Sequence, residues 1–350
     1  MRPVHLFSVI VIMALFGSAY PVGKLGVDHF PPLQFAAMRS VLLALVLLPL
    51  WRLALPSREL IWPLVGFCLC MGTGVYATMY LALHMASTVS PIVIGTQMGV
   101  PFAVILSRIF LGEPVRPVTW VAILTAFSGI LLIAFEPALL HDIPALLAIT
   151  LSALFYALAT LFARTLRTMP VFTMNGWMAL SAIPLLGVPS LLLEQGHWQA
   201  ITSAGAAEWS VLVHSAIAIS LLAHVWMFSL YRHYPVAHVI PYYVLMPVFG
   251  ILLSLLIFLE VPSLQTLLGG AVVIAATWWV NRTTLDRTHA GQAAPEPSPA
   301  TEAGIVWSEA GAGEDQRQDE SGGESGVKFG GEAGDASRMT RRADDPDARD

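Results

Sequence analysis

The chain has 350 residues, 56% of them apolar and 12% charged, with two Cys. A soluble domain carries about 25% charged residues, and the charge here is also uneven: residues 1–290 hold 12 Lys/Arg and 9 Asp/Glu (net +3), whereas 291–350 hold 6 and 14 (net −8). This split excludes a soluble enzyme, a nucleic-acid binder and a disulfide-stapled secreted domain, and leaves a polytopic membrane protein with an acidic tail.

A helix needs about 20 mostly apolar residues to cross the hydrocarbon core, and ten such segments precede residue 284. No run of short alternating strands suggests a barrel. The first segment, 5–24, opens like the apolar core of a signal peptide at 6–16. It continues from Phe16 to Leu25 without a convincing cleavage site, so it reads as a helix. Lys24 ends it near the outer interface, where a long side chain snorkels. The second, 32–51, holds Arg39 about two turns inside Pro32. A charge at the bilayer centre costs roughly 2.5–3.5 kcal/mol. Arg39 therefore either attracts an anionic substrate group or ties the structure together through helix-end carbonyls or Asp28.

The third segment, 60–82, contains Cys68 and Cys70, which are two apart and so do not share a helix face, and Tyr76 and Tyr80, which are four apart and do. Neither a disulfide nor a metal site is expected from that cysteine pair. The fourth, 88–110, places Thr96 and Gln97 between Pro91 and Pro101. An amide both donates to a carboxylate and accepts from an ammonium, so Gln97 suits a zwitterion; an interhelical hydrogen bond is the alternative. The fifth is 117–135, the sixth, 144–164, carries Tyr156, and the seventh, 171–193, carries Asn175, as ambiguous as Gln97. The eighth, 209–231, holds His224 and Trp226 deep in the span. His224 is the one deeply placed group that titrates near neutral pH, with a packed core histidine as its alternative. His214 and His224 flank Ser215 and Ser220, but lie about 15 Å apart at helical rise, too far for a hydrolase site. The ninth, 237–258, repeats the proline pattern with Pro241 and Pro247, and the tenth is 264–281. Tyr76, Tyr80, Tyr156 and Trp226 form a candidate aromatic cavity wall, against the alternative of packing or interface belts. Residues 284–350 are too poor in apolar side chains to build a core, which predicts a disordered acidic tail.

With the N-terminus inside, the inner loops take ten arginines (2, 52, 58, 108, 116, 164, 167, 232, 282 and 287), while the outer side holds at most Lys24. The positive-inside rule therefore puts both termini in the cytoplasm. Residues 104–120 align with 251–267 at an offset of 147, pairing Ser107 with Ser254, Glu113 with Glu260 and Thr119 with Thr266, and 14–24 align more weakly with 153–163. Five helices per half invert the second half, a recurring transporter plan. Paired prolines in the fourth and ninth segments then point to a site there. No Asp or Glu lies well inside a span, so the usual carboxylate proton relay is missing and uniport or exchange stays open. No Walker A motif supports pumping by ATP.

The runs LFGSAYPVGKLGVDHFPPLQFAAMRSVLLALVLLPLW (15–51), LGEPVRPVTWVAILTAFSGILLIA (111–134) and YVLMPVFGILLSLLIFLE (243–260) resemble EamA-type carriers of the drug/metabolite transporter superfamily. Lys24, Pro31, Pro32, Arg39, Glu113, Pro247 and Glu260 carry the likeness, and the chain is most similar to the O-acetylserine and cysteine exporter branch. One departure is LEVP in the second half, where many members have a GER-like turn. The resemblance implies a fold more firmly than a substrate. It favours the structural role for Arg39, since that residue recurs in carriers of unlike cargo.

The expectation is an all-α membrane protein of ten transmembrane helices, organised as two inverted five-helix repeats, 1–137 and 138–283, with a cytoplasmic tail at 284–350. The resemblance implies a cell-membrane carrier that exports an amino acid or derivative, with drug or nucleoside efflux as the alternative. A membrane-embedded enzyme or a scaffold with a partner-binding tail is the different-class reading. The candidate substrate residues are Gln97, Thr96, Tyr76, Tyr80, Tyr156, His224, Trp226 and Arg39. No cofactor, metal or nucleic acid is expected; the partners are a small-molecule substrate and the lipid bilayer, and a homodimer is allowed.

Overall fold

The computed structural model describes residues 3–49, 56–166, 168–223, 226, 227, 230, 234 and 239–290, and these residues are helical or connecting throughout. Helix α1 is Pro3–His29 and α2 is Pro32–Leu47. Helix α3 runs Arg58–Met85 with a π-helical stretch at Cys68–Val75, and α4 runs Ser90–Phe110 with a 3-10 turn at Thr96–Met98. Then come α5 (Pro117–Ala134), α6 (Ile143–Thr165) and α7 (Val171–Leu193). The short α8 (His197–Ser203) meets α9 (Ala206–Leu222) at 108°, and α9 is π-helical over His214–Leu222. A 3-10 turn at Ile240–Val244 leads into α10 (Leu245–Phe258), and α11 is Leu264–Ala290.

Seven of these helices are long and apolar enough to cross a membrane, or eight if the bent α8–α9 pair is one span; α2 and Tyr242–Phe258 are shorter apolar helices. The eighth predicted segment begins at Ala206, and most of it beyond Ala223 lies outside the described residues. Helix α11 continues to Ala290, into the stretch predicted as tail. Residues 283–290 contain neither Gly nor Pro, and Gly291 follows, so nothing local stops the helix sooner.

Proline chemistry accounts for both 3-10 turns. Pro101 has no N–H to offer the carbonyl of Gln97 four residues back, and Pro247 withholds one from Tyr243. Each of those residues lies in a 3-10 turn. The tighter i to i+3 pattern is a common local solution where the α ladder is interrupted. The glycine-containing run CLCMGTGV forms the π stretch of α3. Shifted by the offset of 147, Cys68–Val75 falls on 215–222, which coincides with the π stretch of α9. The same shift carries Gly112 (φ +67°) onto Leu259 (φ 56°), so both halves turn through the left-handed region after their fourth span.

Packing repeats this internal symmetry. Helix α1 packs on α10, α4 on α6, α3 on α6, α1 on α9, α2 on α7 and α5 on α11. Exchanging the halves maps the first pair onto the second and the third onto the fourth, and returns the last two to themselves. Small residues allow the close crossings. A Cβ on Gly17 would lie 2.6 Å from the Met246 carbonyl, and one on Gly129 would lie 2.9 Å from that of Gly269.

Candidate functional site

A cavity of about 540 Å³ lies between the two halves, within the range usual for small-molecule sites. Both interrupted helices border it: Thr96, Gln97 and Gly99 come from α4, and Tyr243, Val244 and Pro247 from the turn and start of α10. One end reaches Arg282, which is exposed at the end of the bundle. The other is blind at Tyr80, only 1% exposed. Beyond Tyr80 the rings of Phe35, Phe30 and Trp209 follow in sequence, at centroid separations of 5.0, 6.1 and 6.0 Å. Gly26 makes room for this stack, since a Cβ there would sit 2.4 Å from the Phe35 ring.

Arg39 is 2% exposed and borders the cavity. Its Nη2 donates to the Tyr76 hydroxyl at 2.9 Å and to Ser220 Oγ, and its Nε donates to the Ser215 carbonyl at 3.3 Å. The Tyr76 ring lies under the guanidinium, 3.8 Å from Cζ to centroid. Nη1 donates to none of the described residues. The tie to Asp28 is not made, because Asp28 pairs with Lys24 at 2.9 Å, one helical turn away. A local i,i+4 partner wins over a distant one at lower ordering cost. Arg39 thus joins α2 to α3 and α9 and still turns one nitrogen toward the cavity.

Tyr76 and Tyr80 share a face as predicted, stacked at 6.2 Å, and Tyr80 hydrogen-bonds Ser215 Oγ at 2.9 Å. Thr96 donates to the Val93 carbonyl at 2.6 Å. Gln97 and Tyr156 line the cavity, and their side chains make no hydrogen bond to the described residues. Trp226 departs from its expectation: it packs against the Val9, Ile12 and Met13 cluster of α1, off the cavity lining. Depth along a span places a residue vertically and leaves its side of the helix open. His224 lies outside the described residues. Asn175 makes a local bond to the Val171 carbonyl at 3.0 Å. His214 hydrogen-bonds Ser18 at 2.8 Å, while Ser215 and Ser220 engage Tyr80 and Arg39, which leaves no histidine–serine pair in that helix.

Ser215, Ser220, Thr277 and Asn281 also line the cavity and were not among the expected residues. Ser215 and Ser220 are five apart and meet because α9 is π-helical there: Ser220 Oγ donates to the Ser215 carbonyl at 3.1 Å. A 3.6-residue period puts them on different faces. Thr277 Oγ1 is buried without a hydrogen-bond partner among the described residues.

Residues 3–282 contain eight Asp and Glu, and none borders the cavity. Asp28 pairs with Lys24 and Glu113 with Arg164, both at 2.9 Å. Glu194 accepts from the Leu33 and Gln34 N–H groups at the start of α2, and Glu260 from Val89 at the start of α4. Asp142 accepts from Ser87, and Glu136 from Ser263 and Thr266 at the start of α11. Glu208 accepts from the Gly205 N–H, and Glu59 is exposed. Carboxylates at helix starts satisfy N–H groups that lack an intrahelical acceptor. Burial pushes the Glu260 carboxyl above its ordinary value, against the pull of the Val89 and Ser90 N–H groups and of Lys24. No cluster of His, Cys, Asp or Glu suited to a metal ion occurs among the described residues.

The sequence signature of the EamA-like transporter family matches residues 4–135 and again residues 143–282. A solved structure, described only as the crystal structure of a protein, aligns over 81% of this chain and 99% of its own at 16% identity, with a TM-score of 0.54. That likeness is one of fold alone. No curated protein matches the chain.

Proposed function

The chain belongs to the EamA-like transporter family, and from that premise we propose an exporter that moves a small metabolite, an amino acid or a derivative of one, by alternating access. It is a multi-pass membrane transporter; the proposal adds ten spans in the cell membrane, repeats at 1–137 and 138–283, and both termini in the cytoplasm. The observation that carries the reading is the cavity bordered by an interrupted helix from each half. Interruptions at corresponding positions are where transporters of inverted-repeat design hold their cargo.

In this reading the cargo enters at the Arg282 end, which the positive-inside rule assigns to the cytoplasm. Gln97 and Tyr156 contact it from opposite halves, with Thr96, Tyr76 and Tyr80 as wall. The stack of Tyr80, Phe35 and Phe30 is the closed outer side in this state. Rocking of the halves about the 3-10 and π segments would part those rings and pinch the Arg282 end. The test is counterflow in proteoliposomes with a labelled amino-acid panel led by cysteine and O-acetylserine, wild type beside Gln97→Ala. Uptake by wild type and its loss in the variant support the reading. No uptake of any panel member by folded protein overturns the amino-acid assignment, and equal uptake by both removes Gln97 from the route.

A further inference from the structure

We infer that the cavity holds its cargo by a carboxylate and offers no counter-charge to an ammonium, so that the preferred cargo is a net anion with an apolar body. An N-acylated amino acid or a hydroxy acid fits this description better than a free amino acid. The inference rests on the carrier reading and narrows its substrate class.

Arg39 is the starting point. A guanidinium stays charged in proteins, and this one is 2% exposed with only neutral partners: a phenol, a hydroxyl and a carbonyl. All eight carboxylates of residues 3–282 are engaged elsewhere or exposed, as set out above. The stretches of that range outside the described residues contain no Asp or Glu. No protein group can therefore neutralise Arg39. A buried charge left without a counter-charge is costly, and a ligand anion in the cavity removes that cost while meeting the unengaged Nη1. Carboxylates pair with guanidinium in the bidentate manner that favours arginine over lysine.

The remaining lining sharpens the choice. The second charged lining residue, Arg282, is also cationic. An ammonium would meet two positive groups. The Tyr76 face, which could receive it, already carries the Arg39 guanidinium at 3.8 Å. Gln97 and the unpartnered Thr277 hydroxyl supply hydrogen bonds to an ester, amide or hydroxyl on the cargo. Met71, Val75, Tyr156 and Ile274 supply the apolar surface.

Three compounds sharing one body separate the charge states: 3-phenyllactate (anion), phenylalanine (zwitterion) and phenethylamine (cation). Binding is read as thermal stabilisation of the full-length protein in detergent. The expected order is phenyllactate first, phenylalanine roughly tenfold weaker and phenethylamine without effect. Arg39→Lys should weaken phenyllactate and keep the order, and Arg39→Gln should abolish the preference. If the Gln variant does not fold, the Lys variant and the wild-type order still decide. Equal or tighter binding of phenylalanine or phenethylamine overturns the inference, as does the failure of all three to stabilise folded protein. The same compounds run as counterflow keep the two readings apart. Anion-first binding without flux sinks the carrier and spares the charge preference; flux of amine ahead of anion does the reverse.

Discussion

Replacing Tyr76 by Phe deletes one hydroxyl from the Arg39 clamp and leaves the ring in place. The guanidinium then keeps Ser220 and the Ser215 carbonyl and loses a 2.9 Å bond. Two magnitudes compete for the cost. Neutral interhelical hydrogen bonds in membrane proteins average about 0.6 kcal/mol, whereas hydrogen bonds to charged groups are worth about 1.5–3 kcal/mol. Arg39 is almost fully buried, so water does not replace the missing partner, and the second figure governs: a loss of about 1.5 kcal/mol. Tyr76→Leu also removes the ring lying 3.8 Å from Cζ, a desolvated cation–π contact worth about 2 kcal/mol, so it should cost roughly twice as much as Phe. Reversible unfolding in mixed micelles with rising SDS fraction reads both. A Phe variant within about 0.6 kcal/mol of wild type would refute the reasoning, because the buried charge would then add nothing to the bond. Equal losses for Phe and Leu would refute the ring contribution alone.

Three further outcomes are expected. Gly17→Ala places a Cβ 2.6 Å from the Met246 carbonyl and should cost about 1–3 kcal/mol by forcing α1 from α10; Gly187→Ala, with nothing within 4 Å, should be neutral or stabilising by up to about 1 kcal/mol in the same assay. Leu259 is 82% exposed and left-handed at φ 56°, so Leu259→Gly relieves a strain of about 1–2 kcal/mol against a glycine entropy cost of about 0.4–1. The net gain is roughly 0.5–1 kcal/mol, and Gly112→Ala should lose a similar amount; a destabilised Leu259→Gly would show that the turn is not strained. Burial raises the Glu260 pKa in the folded protein, so its ionisation contributes stability that is full at low pH and lost as pH rises through the raised value. Wild type compared with Glu260→Gln should therefore gain stability as pH falls from 7 toward about 4.5, and a pH-independent difference between them would count against a buried carboxylate.

The predicted segments are legible because each depends on a run of apolar residues and on breakers such as Pro31, Pro32 and Gly291, which act locally. The site near Gln97 was legible for a related reason: Pro101 removes one specific N–H, and the consequence appears four residues back. Tyr76 and Tyr80 follow the i,i+4 rule and emerge stacked. What the residues do not announce is helix phase beyond a π stretch. Ser215 and Ser220 meet through such a stretch, and Trp226, three residues after α9's π segment closes, faces the α1 cluster instead of the cavity. Arg39's partners were illegible too, since Tyr76 and Ser220 are 37 and 181 residues away and reach it only through tertiary packing.

The paired π stretches bear on how this sequence tolerates insertion and deletion. A π segment is, in effect, one residue accommodated inside a helix without ending it. Removing one residue from Cys68–Val75 would let the helix relax to α geometry and rotate everything after it by roughly 100°. Tyr76 and Tyr80 would swing away from Arg39 and Ser215 together, although no contacting residue had been changed. A single-codon deletion in either stretch should therefore be more damaging than most substitutions there. The spacing between the two stretches would be held by reading frame as much as by side-chain chemistry.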